Sequence, residues 1–319
     1  MTKPKNPTLW IALAIVYVVW GSTYLAIAYV VETMPPFLSA SVRFLIAGGI
    51  LYAFSIRRGD RKGDRPRLPQ WRSAAIVGTL LFLGGNGGVV WAEQRVPSGI
   101  TALIVASVPL WMALFAFIAL RERLPRIAVA GLVVGFAGTA LLIRPSGSQH
   151  VDLTGALVVV GASIAWSIGT LYATRAPLPK RGSVSASMQL LCGGVALGIV
   201  GLASGEAGRV HFSEMSASSI FGLAYLIVFG AIVAFSAYAY MVRNTSPAIV
   251  STYAYVNPVI AVFLGWAIRD EPLRSTTIFA GAIIVVAVAM IVGSKAKTSA
   301  EGEPAAGAPP IEEAIAAEA

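Results

Sequence analysis

The sequence has very few of the residues on which redox and metal chemistry depend. Among 319 residues there are one cysteine and two histidines, and only 12% of the residues are charged. The single Cys192 excludes an intrachain disulfide. His150 and His211 have no neighbours at metal-ligand spacing, which argues against a zinc site. We therefore expect no cofactor and no metal.

The chain also lacks the features of a nucleotide-driven or nucleic-acid-binding protein. No stretch matches the phosphate-binding pattern G-x-x-x-x-G-K-[ST], so ATP hydrolysis within this chain is excluded. The net charge of +9 does not indicate nucleic-acid binding, because the basic residues flank apolar stretches and form no basic domain. The expected surroundings are a lipid bilayer and a small-molecule substrate, with protons as a candidate coupling ion and the oligomeric state open.

What the chain does have is apolar sequence. Hydrophobic residues make up 56% of it, and the mean hydropathy is +0.75. Ten apolar stretches are near the ~20 residues that cross a bilayer as a helix. We expect an all-α polytopic membrane protein with ten transmembrane helices. The predicted spans are 9–31, 36–56, 73–93, 98–120, 127–143, 153–174, 184–203, 217–241, 247–268 and 276–293.

The basic residues predict the orientation of the chain. With ten spans, 18 of the 24 Lys and Arg fall on one side of the membrane, five fall on the other, and Arg43 lies inside a span. Cytoplasmic loops carry the excess of Lys and Arg. Both termini are therefore predicted to be cytoplasmic.

The spacing of proline and glutamate suggests that the chain is two related halves. Pro109 and Pro258 lie within the fourth and ninth spans, and Glu122 and Glu271 each follow thirteen residues later. Five spans per half would make the second half enter the membrane from the opposite face, as in the inverted repeats of secondary transporters. The predicted units are a first repeat at 9–143, a second at 151–293 and a disordered cytoplasmic tail at 294–319. The alternative is chance similarity between apolar helices.

Arg43 is the residue whose predicted place within the membrane costs the most free energy, because a charged side chain there needs a partner or water. Glu93 and Glu32 lie near it in predicted depth. One interpretation is a structural ion pair, or an arginine that snorkels to the outer interface. The other places Arg43 on the substrate path, with Glu93 as its ion-pair partner and the candidate protonation site.

Asn86 lies among four glycines in the third span, Leu83 to Val89, where an amide needs a partner. The glycines indicate either close helix contact or a cavity that Asn86 faces. Pro109 and Pro258 each remove a helix hydrogen bond near mid-span. They are predicted hinges, unless neighbouring helices satisfy the freed carbonyls. Gly131, Gly135 and Gly281 are read as helix contacts alone.

Aromatic and amide residues near mid-span are the remaining candidates. Tyr17, Trp20 and Tyr24 share one helix face, and so do Tyr253 and Asn257. Helix packing is as good an explanation for any one of them. The predicted substrate-cavity residues are Trp20, Tyr24, Arg43, Asn86, Trp111, Tyr253 and Asn257. No residue is predicted to be catalytic.

Four segments resemble a known family. They are WGSTY at 20–24, VRFLIAGG at 42–49, GNGGVVWAEQRVPSGITALIVASVPL at 85–110 and RNTSPAIVSTYAYVNPVIAVFLG at 243–265. They resemble the EamA family of the drug/metabolite transporter superfamily, most closely its YedA-type bacterial inner-membrane exporters. The resemblance covers about residues 9–293. It implies two inverted EamA repeats and alternating-access export of small metabolites or drugs, and it names no substrate.

The sequence therefore predicts a secondary transporter and not an enzyme. A membrane enzyme acting on a lipid-like substrate is the second hypothesis. Such an enzyme would require paired carboxylates or a metal motif in the membrane. The third hypothesis is a scaffold or receptor without transport activity, which would require soluble domains. The sequence leaves the substrate, the coupling ion and the direction of transport open.

Overall fold

The computed structural model describes residues 7–57, 66–121, 124–143, 152–244 and 252–301. Ten helical segments account for nearly all of these residues. We label them α1 to α10 in chain order. They are α1 Pro7–Thr33, α2 Pro36–Arg57, α3 Leu68–Ala92, α4 in two parts (Ser98–Val105 and Val108–Leu120), α5 Arg126–Ile143, α6 Leu153–Ala173, α7 Gly182–Ala203, α8 in three parts (Ala217–Tyr225, Leu226–Val233 and Ala234–Asn244), α9 Tyr253–Arg269 and α10 Ser275–Glu301.

Each predicted span coincides with one of these segments. Within the described residues, nine helices are long and apolar enough to cross a membrane. The remaining segment, α9, has 17 described residues, about 25 Å of helix, and begins directly after the undescribed stretch 245–251. The protein is thus an all-helical, multi-pass membrane protein. Helix α10 continues to Glu301, beyond the predicted start of the tail at 294, and residues 302–319 lie outside the described part.

Small residues bring the helices into close contact. A Cβ added to Gly131 of α5 would lie 3.0 Å from the Ala287 carbonyl of α10, and one on Gly281 would lie 2.9 Å from Leu103. The prediction that these glycines mark helix contacts is confirmed. The glycines around Asn86 behave alike: a Cβ on Gly88 would lie 2.8 Å from Ala162 of α6. Close approach of backbones stabilises helix association in a bilayer, where no hydrophobic force drives it.

The helices pack in a pattern that is unchanged when five is added to, or subtracted from, each helix number. Helix α2 packs on α7, and α5 packs on α10. Helix α1 packs on α8 and α9, and its counterpart α6 packs on α3 and α4. Two structurally related five-helix halves produce such a pattern, because each contact in one half has an equivalent in the other.

Two backbone features also recur at matching places. Helix α4 ends at Arg121, with φ 55°, and α9 ends at Asp270, with φ 53°. Among described residues other than glycine, these two alone have positive φ. Each follows its helix proline, Pro109 or Pro258, by twelve positions. The third helix of each half contains a stretch of π-helix, Thr79–Gly87 in α3 and Leu226–Val233 in α8.

Two carboxylates cap helices of the opposite half. Glu271 accepts hydrogen bonds from the backbone N–H of Ser98 (2.9 Å) and Gly99 (3.0 Å), at the start of α4. The fully buried Glu206 accepts from the N–H groups of Phe37 and Leu38, at the start of α2. An anion is favourable at a helix N-terminus, where N–H groups lack helix partners. Glu271 thus caps α4, whereas Glu122, its counterpart in the proline–glutamate spacing, lies outside the described residues.

Replacing Glu271 by alanine should lower the thermal stability of the protein in detergent by several degrees. The change leaves the first N–H groups of α4 without an acceptor, and loss of an N-cap costs about 0.5–2 kcal/mol. The exposed Glu214 provides the control, because Glu214→Ala removes the same charge without removing a described contact of this kind. Equal melting temperatures for the two variants would contradict the capping role.

Candidate functional site

Arg43 is a charged side chain buried inside the bundle, on α2. It is 7% exposed, and its guanidinium carbon lies 4.8 Å from the centre of the Phe44 ring. Its Nε has no hydrogen-bond partner among the described residues. A small cavity adjoins the side chain. The cavity is lined by Ile27, Val30, Ser39, Ala40, Arg43, Val90, Leu223 and Leu226. A buried arginine with free hydrogen-bonding capacity beside a cavity is suited to bind an anionic group.

Glu93 is the second buried charged residue of this region. It directly follows the last residue of α3 and is 8% exposed. Neither carboxyl oxygen has a hydrogen-bond partner among the described residues. Glu93 lies within electrostatic range of Arg43 and Arg269, and Tyr24 lies within range of Glu93. The structure therefore brings Tyr24, Arg43 and Glu93 into one electrostatic group, without a direct ion pair between the two charged residues.

Glu32 does not join this group, although sequence reasoning placed it near Arg43 in depth. It accepts a hydrogen bond from Arg269, so that the C-terminal ends of α1 and α9 are held together. The same arginine lies over the Tyr29 ring at 4.9 Å and reaches Glu271 at 4.0 Å. Because Arg269 is also within electrostatic range of Glu93, one cation serves three carboxylates at this end of the bundle.

An aromatic cluster joins α1, α8 and α9. The ring centres of Trp20 and Tyr253 are 5.1 Å apart, with the rings at 82°. Tyr238 lies 5.2 Å from Trp20 and 6.0 Å from Tyr253. Edge-to-face contacts of this kind stabilise helix packing. Sequence reasoning found Trp20 and Tyr253 but missed Tyr238, whose only sequence signal is an aromatic residue in the inner part of the eighth span.

Asn257 contributes to the same contact between α1 and α9. With its amide nitrogen directed at α1, it donates to the backbone carbonyls of Tyr17 and Tyr253, both at 3.3 Å. Tyr17 also forms a hydrogen bond with Thr252. These bonds satisfy the amide within protein, as an amide at membrane depth requires.

The remaining predicted residues, Asn86 and Trp111, lie outside the electrostatic group and the aromatic cluster described above. Asn86 is half-buried in the π-helical part of α3. Trp111 packs on Phe115 and Phe136, with ring centres 6.1 and 4.7 Å away, and donates to Ser107. Of the predicted cavity residues, only Arg43 is among those that line the small cavity in the described part of the chain.

The two prolines have different local structures. Helix α4 is interrupted at 106–107, and Pro109 lies in the first turn of its second part, which begins at Val108. Helix α9 runs without a break from Tyr253 through Pro258. A proline in the first turn of a helix removes no helix hydrogen bond, whereas an interior proline does.

The fold and this site define the class: a polytopic helical membrane protein with buried charged groups that have hydrogen-bonding atoms without partners among the described residues. The model of the EamA-like transporter family matches residues 8–144 and again residues 153–293. The chain therefore belongs to the EamA-like transporter family, with one family domain in each half.

Similar proteins support this assignment. The chain is 38% identical over 286 residues to the uncharacterized inner membrane transporter YedA of Escherichia coli K12, a match covering 89% of this chain and 90% of that one. It is 25% identical to the uncharacterized transporter YvbV of Bacillus subtilis 168, over 92% and 94% of the two chains. A crystal structure aligns with a TM-score of 0.60 at 20% identity, over 90% of this chain and 96% of that one. At that identity the crystal structure shows the fold alone.

Proposed function

We propose that this protein is a secondary transporter that exports small metabolites or drugs by alternating access. The observation that carries the proposal is the pair of buried charged residues, Arg43 and Glu93, which have hydrogen-bonding atoms without partners among the described residues. Intramembrane charged residues are costly to bury and mark substrate or ion pathways. Membership of a transporter family and the transporter names of relatives support the same activity.

The proposed architecture has ten membrane spans in two inverted five-helix repeats. It is supported by the matching helix contacts, the matching left-handed helix ends at Arg121 and Asp270, and the two family matches. The protein spans a bacterial inner membrane with both termini in the cytoplasm. This orientation agrees with the excess of Lys and Arg in the loops on that side.

The substrate binds between the repeats, near the middle of the membrane. In the open states a central water-accessible space is bordered by α1, α2, α3, α4 and α9, and it exposes the predicted cavity residues. These are Trp20, Tyr24, Arg43, Asn86, Trp111, Tyr253 and Asn257. The aromatic rings offer apolar surface and the polar groups fix orientation, which suits an amphipathic metabolite. Pro109 and Pro258 are the hinges at which α4 and α9 bend.

Arg43 and Glu93 perform the coupling step. Arg43 attracts an anionic group of the substrate, or attracts the carboxylate of Glu93 when the substrate is absent. Protonation of Glu93 cancels that attraction and frees Arg43 for the substrate. Export would then depend on the proton gradient through one carboxylate.

The test is a thermal-shift screen of the purified protein against metabolites, followed by transport of the hits in liposomes. Counterflow of a stabilising compound would support the proposal. A protein that is stabilised by no compound, and that moves none of a broad set across the liposome membrane, would contradict it.

Reporter fusions test the topology. A reporter at residue 65 or in the C-terminal tail should be active in the cytoplasm, and reporters at residues 148 and 208 should be active outside. The matched comparison is between 65 and 148, which lie in loops separated by three predicted spans. If the loop 57–72 were accessible from outside, the orientation would be wrong.

A further inference from the structure

The π-helical segments of α3 and α8 occupy matching places in the two halves. π-Helix is rare and often occurs at functional sites. Each segment lies between two α-helical parts of its helix, so its hydrogen bonding sets the rotation of one part relative to the other. A change of one residue in that bonding turns the following part by about 100° and shifts it by about 1.5 Å.

Each π-helical segment is contacted by the tryptophan from the first helix of the other half. Trp20 of α1 donates from Nε1 to the Gly230 carbonyl of α8, at 3.3 Å. Trp166 of α6 lies on Gly85 of α3, where its Cε3 would be 2.7 Å from an added Cβ. Trp166 is not among the predicted site residues.

The change from π-helix to α-helix leaves the Gly230 carbonyl without a backbone N–H donor. The last π-type bond in this segment joins the Ala234 N–H to the Phe229 carbonyl. Beyond it the helix returns to bonding four residues back, and such a step leaves one carbonyl without a backbone donor. The next carbonyl is that of Gly230, and the Trp20 indole supplies its donor. Trp20 therefore stabilises the π-helical form of α8 in particular.

In α3 the contact is steric. The ring of Trp166 packs directly on the backbone of Gly85 and stands edge-on to Phe82, with ring centres 6.3 Å apart. Both Gly85 and Phe82 belong to the π-helical segment, and Asn86 is the next residue. A rotation of α3 that brought Asn86 to the place of Gly85 would set a bulkier residue against the ring, so Trp166 opposes that rotation.

The parts that follow these segments carry groups of the site. In α3 the following part is Gly88–Ala92, which leads directly into Glu93. In α8 it is Ala234–Asn244, which carries Tyr238 of the aromatic cluster. Gly230 also adjoins Arg43, since an added Cβ would lie 3.4 Å from Nη2. Movement at either segment would therefore displace the groups that face the substrate.

We infer that Trp20 and Trp166 are a matched pair of positioning residues. Each holds the π-helical segment of the opposite half, and conversion of that segment to α-helix moves Glu93 in one half and Tyr238 in the other. The functional role of the two tryptophans rests on the proposed transport cycle. Their effect on the conformational equilibrium can be measured in the protein without substrate.

Cysteine labelling tests it in the full-length protein. Two single-cysteine variants are made in a Cys192→Ala background. Ser39→Cys on α2 reports access of a reagent to the cavity at Arg43, and Ala237→Cys reports access to the last part of α8, Ala234–Asn244. Labelling of each by a membrane-impermeant maleimide is compared in vesicles of both orientations. Trp20→Phe, which removes the donor and keeps a ring, should change the ratio of the two labelling rates at least about threefold. Trp166→Leu should change it in the opposite direction, because inversion exchanges the two membrane faces.

Controls separate positioning from packing. Trp266→Leu alters a half-exposed tryptophan on α9 and should leave the ratio unchanged. If Trp166→Leu fails to fold, Gly85→Ala replaces it, with Gly161→Ala as control because an added Cβ there meets nothing within 4 Å. Lower stability with an unchanged ratio, or shifts in the same direction from both halves, would overturn the inference. Opposite shifts in a protein that transports nothing would uphold it and count against the proposed function.

Discussion

Replacing Arg43 by alanine is expected to reduce transport at least about thirtyfold while leaving folded protein in the membrane. The substitution removes the charge that attracts an anionic group in a buried site. Removing the charge that pairs with the anionic group of a bound substrate in a buried site costs about 2 kcal/mol or more, and 1.4 kcal/mol corresponds to tenfold. Folding should survive, because the Arg43 side chain makes no hydrogen bond at Nε and no ion pair among the described residues that would be lost.

The matched control is Arg95→Ala. Arg95 is exposed, and its guanidinium lies over the Trp91 ring at 4.1 Å. This variant loses the same charge from the same side of the protein and should transport normally. Arg43→Lys should retain part of the activity, since lysine keeps the charge but not the planar fork. Full transport by Arg43→Ala in liposomes, at an equal amount of inserted protein, would remove Arg43 from the mechanism.

Replacing Glu93 by glutamine is expected to make the rate of transport nearly independent of pH. Glutamine resembles the protonated acid, so the variant has no carboxylate to compete with the substrate for Arg43. The unmodified protein should show a rate that changes with pH over the range where Glu93 gains its proton. The measurement is the initial rate in liposomes at about five values of pH, with equal pH on both sides.

The exposed Glu214 gives the matched control, because Glu214→Gln makes the same chemical change outside the site. Its pH profile should follow that of the unmodified protein. If Glu93→Gln also kept the original profile, the protonation site would lie elsewhere. Only if Arg43→Ala transported fully as well would the aromatic cavity remain as the whole of the proposed site. The two variants, Arg43→Ala and Glu93→Gln, therefore test substrate attraction and proton coupling separately.

Much of the fold could be predicted from hydropathy and charge, because a bilayer imposes a single length and polarity on every spanning helix. The ten helical segments lie where apolar stretches predict them. The π-helical segments were not predictable, since α- and π-helix use the same residues and the choice between them depends on neighbours such as Trp20 and Trp166. The position of Glu206 was hidden for a similar reason: its partners, Phe37 and Leu38, are 168–169 residues away in the chain.

The candidate site could be predicted in part. Arg43 and Glu93 stand out in any reading because charged residues are rare in spans, and the structure shows both buried. Their surroundings did not follow from the sequence. Depth along a span placed Glu32 near Arg43, but the direction of each side chain around its helix axis sends Glu32 to Arg269. Aromatic residues were still harder to assign, because Trp20 can line a cavity and hold a neighbouring helix at once.

The contact between α2 and α7 is reciprocal. Gly48 of α2 receives Leu190 and Leu191 of α7, and Gly194 of α7 receives Leu45 of α2. Self-complementary surfaces of this kind are the mark of a twofold dimer, in which each patch meets its own equivalent. The two halves of this chain thus associate as two subunits would. A change on one of these surfaces is then best compensated at the equivalent place in the other half, about 145 residues away, and not by its neighbours in the chain.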